Sequence, residues 1–420
     1  MALASIFQGL HEEHGTHRTH RIHDTRETHK TLVRGWVAGG SCVAPIRGSR
    51  PSKYRFGGLA QLGERLAGSQ KVRGSNPLSS IPTAGSQAPA TGDPGKACRA
   101  TATAVAWCNG HWLDAQAASL PLGDAGFVLG ASVTEQLRTF RGRPFLVAEH
   151  AARFGESLRI VGIDPSSARA PSGEPLSIEA IFAAAEQVAL RAWAAGEQEA
   201  DVGIVVCGTP GDHPAQHGGI RSAPRLIVHA FPLAFAAWWR AYDEGIALRR
   251  VGIRQVPEAC WPSRLKCRSR MHYHLADREA DAAEPGARAV LEQLDGSVSE
   301  TSTANIVAVR AGRLTTPPPS AALGGVSLGF LHRLAVADGL PWTTGRLTAD
   351  DLAAADELLL TSTPSCILPA TRFEGQPIGG GRPGPIYRRL LARWSGQVGL
   401  DIAGQARRHG EIVRSGEPNR

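Results

Sequence analysis

Lys266 stands in 264-RLKCRSRMHYHLADREADA-282, and between Lys96 and residue 420 there is no other lysine. Residues 101–420 carry 32 basic side chains, so arginine serves as the cation nearly everywhere else. A guanidinium holds its proton near neutrality and forms no Schiff base, whereas a desolvated lysine can shed its proton and condense with a carbonyl. A position that keeps lysine in such a chain is a candidate for amine chemistry. The commonest fate of a lysine is a surface ammonium, so the reading depends on its partners.

Three segments downstream offer partners. Glu300 lies in 296-GSVSETSTANIVAV-309, where a hairpin strand runs into a Ser/Thr-rich loop. In 317-PPPSAALGGVSLGFLHRLAVADG-339 a Pro- and Gly-rich loop opens a helix. The backbone N–H groups of Val326 and Ser327 then point out of a helix N-terminus, a natural seat for a phosphate. In 360-LTSTPS-365 hydroxyl side chains stand at the end of a buried strand. Taken singly, capping and turn chemistry account for each of these features.

The elements that must hold these residues are legible from residue 104 onward. Strands are expected at AVAWCNG, at 135-EQLRTF-140 turning through Arg141-Gly142 into RPFLV, and at 202-VGIVVCG-208 and 225-RLIVHAF-231. Helices are expected over 147–163, where Val147, Ala151, Phe154, Leu158 and Val161 share a face, and over 177–195. Residues 232–245 read as a connection between two domains. The second half opens on strand 246–256, and a helix follows over 269–283. Two hairpins turn at Asp295-Gly296 and Ala311-Gly312. A helix begins near Gly325, a strand spans 357–363, and a helix spans 384–394. Mixed short strands and helices in two lobes indicate an α+β architecture, with domains over 104–234 and 245–400 and a disordered tail over 401–420.

The net charge of +8 suggests nucleic acid, but its distribution does not. Residues 1–100 hold 14 Lys/Arg against 6 Asp/Glu, whereas residues 101–420 hold 32 of each sign. A basic balance confined to one tail describes that tail. No nucleic-acid partner is expected for the body, and no apolar run approaches the ~20 residues that cross a bilayer. Seven cysteines without a C-x-x-C pair fit a reducing compartment, and a cytoplasmic location is expected.

Residues 1–103 read as a leader apart from the body. They carry a ladder of His11, His14, His17, His20 and His23, then a Gly-, Ser- and Pro-rich run. Metal binding by the ladder, or a His-rich binding function for the whole chain, is weighed against a solvated tail, which the lack of any core favours. The segment 56-FGGLAQLGERLAGSQKVRGSNPLSSI-81 resembles the translation of a transfer-RNA gene. On that reading the frame is drawn too far upstream, and translation starts near Val105 at a codon other than ATG.

In this order and at these spacings, the segments of the body resemble the class IV pyridoxal-phosphate-dependent aminotransferases. That family includes branched-chain and D-amino-acid aminotransferases and aminodeoxychorismate lyase. The resemblance covers about 105–400. It includes the D-x-G-F-x-x-G opening in 121-PLGDAGFVLGASVTEQLRTFRGRPFLVAEHAARF-154 and the G-x-P-I-G loop in 356-DELLLTSTPSCILPATRFEGQPIGGGRPGPIYRRL-390. It implies the family's two-domain fold, a small N-terminal α/β sandwich domain and a larger C-terminal pseudo-barrel domain. It implies pyridoxal 5'-phosphate as cofactor, with Lys266 as the lysine that joins it covalently. Glu300 matches the acid facing the pyridine nitrogen. Arg153 matches the phosphate arginine, and Gly325, Val326, Ser327 and Thr363 match the remaining phosphate contacts. Ala276 and Ala280 fall where the helix after the lysine carries small residues. A homodimer is implied as well.

The chain departs from the family pattern at several positions. Ser269, Arg270 and Met271 stand where an Asn-Tyr pair is common, with Tyr273 further along. Cys207 stands where D-amino-acid enzymes tend to carry a carboxylate-gripping arginine, and Thr134 replaces an aromatic. Arg138, Arg268 and Arg270 all remain open as partners for a substrate carboxylate. The expected activity is transfer of an amino group from an L-branched-chain or similar aliphatic amino acid to a 2-oxo acid. Aminodeoxychorismate lyase is the first alternative, and D-amino-acid transamination the next.

Overall fold

The computed structural model describes residues 105–195 and 201–415, and the expectations for residues 1–103, the histidine ladder included, lie outside the described residues. β1 (Val105–Cys108), β2 (His111–Asp114), β3 (Val133–Phe140), β4 (Arg143–Pro144), β5 (Val202–Thr209) and β6 (Arg225–Pro232) form one sheet. Its order is β2-β1-β6-β5-β3-β4, and every neighbouring pair is antiparallel. Along β6 the residues alternate, with Leu226, Val228 and Ala230 buried and the residues between them half-exposed. One face is therefore apolar.

The short helix α1 (Ala125–Val128) precedes β3. Asp124 caps it by accepting from the Gly126 N–H at 2.7 Å, and the same carboxylate meets Arg225 of β6 at 2.6 Å. α2 (Val147–Val161) and α3 (Ile178–Ala195) cover the apolar face of the sheet. Phe154, Leu158, Ile181 and Val188 pack there against Ile204, Val206 and Leu226. The stretch expected as a connection forms two single-turn helices, α4 (Phe235–Trp238) and α5 (Ala241–Glu244).

The second sheet is larger and mixed. It comprises β7 (Ile246–Arg254), β8 (Arg288–Glu292), β9 (Val298–Thr301), β10 (Asn305–Arg310), β11 (Arg313–Thr316), β12 (Trp342–Thr344), β13 (Glu357–Ser362), β14 (Cys366–Phe373) and β15 (Gln376–Pro377). The order is β12-β11-β10-β13-β14-β7-β8-β9, with β15 hanging on β14. The pairs β11–β12, β14–β7 and β7–β8 are parallel.

This order forces the sheet to curl. β9 and β10 are five strands apart in it, which on a flat sheet is ~24 Å. Yet the chain passes from Thr301 to Asn305 directly, a step that spans at most ~14 Å. The edge at β9 must therefore return toward β10, and the Thr301 N–H donates to the Ala304 carbonyl at 2.9 Å in the turn that joins them. Glu300 ends up on one side of that closure and Asn305 on the other.

α6 (Met271–Ala283) lies against β7 and β8 through Ala276 and Ala280, both fully buried with Val251, Ala289 and Leu291. Small side chains let the helix axis approach the sheet closely. α7 (Val326–Ala337), α8 (Ala349–Ala353) and α9 (Pro385–Val398) complete the covering of the second sheet. Phe330, Leu331, Leu390 and Trp394 are among the residues of α7 and α9 in its main core.

Residues 416–420 lie outside the described residues, and the disordered tail expected over 401–420 is corrected for 402–415, which form the last helix, α10 (Ile402–Ser415). Its apolar content is too low to announce a helix, but Ile402, Gln405 and Ala406 are buried. The His409 ring stacks on Phe235 at 5.3 Å. Gly410 lets Trp239 approach, since a Cβ there would stand 2.2 Å from the indole. Ala280→Leu should overpack the seam between α6 and the sheet. A loss of about 1–3 kcal/mol is expected, read as a lower urea midpoint at unchanged slope.

Candidate active site

The segment carrying Lys266 is laid along the start of β3. Cys267 bridges to Val133, the Thr134 N–H donates to the Lys266 carbonyl at 3.0 Å, and the Arg268 N–H donates to the Ser132 carbonyl at 3.0 Å. The Lys266 N–H reaches Ser157 Oγ on α2 at 3.2 Å. With its backbone held on both sides, the lysine sends its side chain into a cavity of about 440 Å³. Arg153, Lys266, Glu300, Gly325, Val326, Ser327 and Thr363, the residues singled out from the sequence, all line this cavity.

Among the described residues the Lys266 ammonium takes no hydrogen bond and no salt bridge. The residue is half-buried on the cavity wall, and the protein around it costs the charged form hydration without a partner in exchange. Burial pulls its pKa down to about 8, and the Arg153 guanidinium pushes the same way. Glu135 and Glu300 act against that shift, and Arg270 acts with it. An amine with such a pKa is a free base for part of the time at neutral pH.

Glu300 is buried on the other side. Its Oε1 accepts from the Tyr273 hydroxyl at 2.6 Å and Gln255 Nε2 at 3.1 Å, and its Oε2 accepts from Asn305 Nδ2 at 3.2 Å and the Leu323 N–H at 3.3 Å. Burial pushes its carboxyl above the ordinary range, opposed first by the Tyr273 hydroxyl and then by the Lys266 charge. Four donors hold the carboxyl group in one orientation at the cavity wall. Gln255 is itself placed, since its Oε1 takes the Val256 N–H and His272 Nε2, each at 3.0 Å.

Arg153 is aimed by a carboxylate that the sequence did not mark. Glu135 on β3 receives Arg153 Nε and Nη2, each at 2.7 Å, and His150 Nδ1 at 2.7 Å. Glu135 is fully buried, and burial opposes its charge, yet Arg153 and His150 together bring its pKa down to about 2. The third Arg153 nitrogen, Nη1, donates to the Gly324 carbonyl at 2.9 Å, beside the first turn of α7. The guanidinium and the open N–H groups of Val326 and Ser327 thus face one end of the cavity together.

That end is tightly packed around Asn305, and it leaves one buried polar atom unmatched. Gly325 cannot carry a side chain, because a Cβ would stand 1.9 Å from Asn305 Oδ1. Asn305 Nδ2 holds the Leu323 carbonyl at 2.8 Å as well as Glu300, so one amide ties the two ends of the cavity. Thr361 Oγ1, on the same wall, is buried without a hydrogen-bond partner. A buried hydroxyl left unmatched calls for an acceptor or donor from outside the chain.

The three arginines left open part ways here. Arg138 is 1% exposed and does not line the cavity, so it is excluded as a direct carboxylate partner. Arg270 lines it, but its guanidinium lies 4.3 Å over the Tyr273 ring and donates to the Ser302 carbonyl. Arg268 lines it too, is exposed, and takes no side-chain hydrogen bond or ion pair among the described residues. Glu135, His150, Gln255 and Asn305 were missed in the sequence. Only the H-x-x-R spacing of His150 and Arg153, one helix turn apart, carried a signal for any of them.

The depressed amine makes a test. The unfolded chain binds the Lys266 proton up to about pH 10.5 and the folded chain only up to about 8. Stability of the ligand-free protein therefore rises with pH across that window, so far as this group determines it. Acylation of Lys266 by a water-soluble active ester, followed by peptide mapping, should reach half its limiting rate near pH 8. A midpoint above 10 would mean that the amine is solvated.

Residues 132–373 match the family described as amino-transferase class IV. The D-alanine aminotransferase of Bacillus licheniformis is 25% identical over 287 residues, which cover 67% of this chain and 93% of that protein. The D-alanine aminotransferase of Staphylococcus haemolyticus is 25% identical over 286 residues, with the same coverage of each chain. Among solved structures, the branched-chain amino acid aminotransferase from Escherichia coli has a TM-score of 0.59 at 22% identity, covering 70% of this chain and 94% of that one. The branched-chain aminotransferase of Thermoproteus uzoniensis with norvaline has a TM-score of 0.61 at 23% identity, covering 72% and 96%. These likenesses establish the fold as the two-domain α+β fold expected from the sequence, and the match over more than half of the chain establishes the rest: this protein belongs to the class IV aminotransferases.

Proposed function

We propose that this aminotransferase uses pyridoxal 5'-phosphate to move an amino group from an L-branched-chain or similar aliphatic amino acid to a 2-oxo acid. The observation that carries the proposal is the unpartnered amine of Lys266 in one cavity with Glu300 and the N-terminus of α7. The residues suit the cofactor at each of its polar points. Lys266 would hold its aldehyde carbon and Glu300 its ring nitrogen. Arg153, the Gly325-Val326-Ser327 turn and Thr363 would hold its phosphate, and the unmatched Thr361 hydroxyl supports an anion at that wall.

When bound, the cofactor supplies an electron-withdrawing ring that accepts the charge left on the substrate carbon after deprotonation. The chain supplies the proton traffic and the geometry. Lys266 Nζ, with its pKa near 8, takes the Cα proton as a base and returns it as an acid, a role typically worth ~10²–10⁴-fold. Arg268, exposed on the cavity wall and without a side-chain partner among the described residues, orients the substrate carboxylate. Trp238, Trp261 and Val256 add apolar surface suited to an aliphatic side chain.

The names of the curated relatives favour a second reading, transamination of D-amino acids. Against it, the position in register with Thr134 on the adjacent strand is Cys207, which offers no cation to a carboxylate. A lyase acting on aminodeoxychorismate and releasing pyruvate remains the alternative on the same residues. We further propose a homodimer. Phe127 and Leu129 are 66% and 63% exposed, and Met271 is 68% exposed. The two groups adjoin, because Ser269 Oγ donates to the Gly130 carbonyl at 2.7 Å. The described cysteines are free thiols, and a cytoplasmic location accords with them.

Three measurements test these readings. Borohydride reduction of the protein incubated with pyridoxal 5'-phosphate should fix label on Lys266, and Lys266→Ala should lower transamination by at least ~10²-fold. Glutamate formation from L-leucine and 2-oxoglutarate should exceed that from D-alanine, and pyruvate release from aminodeoxychorismate should be absent. Phe127→Asp should shift the sedimenting species from dimer to monomer; a wild-type monomer would remove the dimer proposal.

A further inference from the structure

Arg138 was a candidate for the substrate's carboxylate, and the structure turns it away from the cavity. Its contacts define a different role. Nη1 donates to the Pro364 carbonyl at 2.8 Å and to Cys366 Sγ at 3.3 Å. Residues 361–365 line the cavity from the opposite side of that contact. The turn is also held from behind by Tyr242, whose hydroxyl donates to the Ser365 carbonyl at 2.8 Å.

Arg138 is itself held from α10. Its Nη2 donates to Gln405 Oε1 at 2.9 Å, and Gln405 Nε2 donates to Asp201 Oδ2 at 2.8 Å. Asp201 Oδ1 accepts from Thr139 Oγ1 at 2.8 Å and from the Gly142 N–H at 3.0 Å. All of these side chains are buried, with Arg138, Gln405 and Asp201 each at most 2% exposed. A buried cation and a buried anion are thus joined through one neutral amide. The relay needs a side chain with an acceptor on the arginine side and a donor on the aspartate side, and glutamine is the residue that has both at this reach. A carboxylate at 405 would face Asp201 with nothing to donate, and an ammonium would face Arg138.

We infer that Gln405 and Arg138 are positioning residues for the reaction: the C-terminal helix sets the 361–365 wall of the active site through the chain Asp201, Gln405, Arg138, Pro364. Neither side chain touches the cavity. They act by fixing the direction of the Pro364 carbonyl, and with it the peptide plane that leads to Ser365. The α10 helix is thereby a working part of the site rather than an appendage.

The test reverses the relay. Gln405→Glu alone sets two carboxylates together, and Asp201→Asn alone leaves the charge of Arg138 without its distant anion. The paired change, Gln405→Glu with Asp201→Asn, keeps one anion and lets position 201 donate to position 405, so every hydrogen bond of the chain is restored. Hydrogen exchange of peptides covering 357–373 in the cofactor-free protein is the first readout, because it does not depend on the cofactor reading. Affinity for pyridoxal 5'-phosphate and kcat and KM of transamination are the others.

Faster exchange at 361–366 is expected in Gln405→Glu, with a loss of roughly tenfold or more in kcat/KM. The paired variant should return both toward wild type. If Gln405→Glu fails to fold, the paired variant carries the test alone: near-normal exchange and kcat/KM support the relay, and loss of either overturns it. Gln405→Glu that lowers the melting temperature but leaves exchange at the turn and kcat/KM unchanged means a purely structural amide and also overturns it. A wild-type protein inactive with every amino donor counts against the substrate reading, while its exchange pattern still decides this one.

Discussion

A partly desolvated ammonium with no counter-charge in contact is the constraint on which the site depends. Lys266 is in that state, and the cost falls on its charged form. The surroundings make it selective rather than ruinous. Glu300 has four donors, Glu135 has the Arg153 guanidinium and the His150 ring, and Arg153 has Glu135, so these neighbouring groups are already matched. The amine has no such match, and an amine of that kind suits proton transfer near neutral pH.

Matching those charges is demanding in its own right. A lone carboxylate as deeply buried as Glu135 would be protonated or would unfold the region. The bidentate grip of Arg153 and the His150 contact reverse the outcome and hold its pKa to about 2. The same contacts rob Arg153 of rotational freedom, so its remaining edge faces the first turn of α7. One buried carboxylate therefore sets the direction of a cation on the cavity wall. Asp201 does similar work further away, where a neutral glutamine carries its influence to Arg138.

The curl of the second sheet brings these groups together. Glu300 and Asn305 flank its closure, Gly325 sits against Asn305, and the turn after β13 supplies the opposite wall. The first sheet contributes β3 and α2, and the Lys266 segment is stitched onto β3 by backbone hydrogen bonds. The cavity is thus a meeting place of segments from both sheets, which explains why short motifs far apart in the sequence define it.

Much of this was legible before any coordinates. Lys266 stood out because no lysine accompanied it, and the Gly325 turn stood out because loop composition and helix periodicity met there. Those are chemical signals carried by residue type and local spacing, and they survive without knowledge of the fold. Glu135, Gln255 and Asn305 gave no such signal, since an acid or amide in a strand looks the same whether it faces water or a buried guanidinium. Helix α10 was read as a tail because its buried face holds a glutamine and an alanine beside a single isoleucine. Residue types and local spacing thus sufficed to announce the kind of chemistry, with its amine, its acid and its anion seat. Which arginine faces the cavity and which stands behind it was settled by the folded chain alone, because burial and pairing depend on neighbours that sequence distance does not reveal.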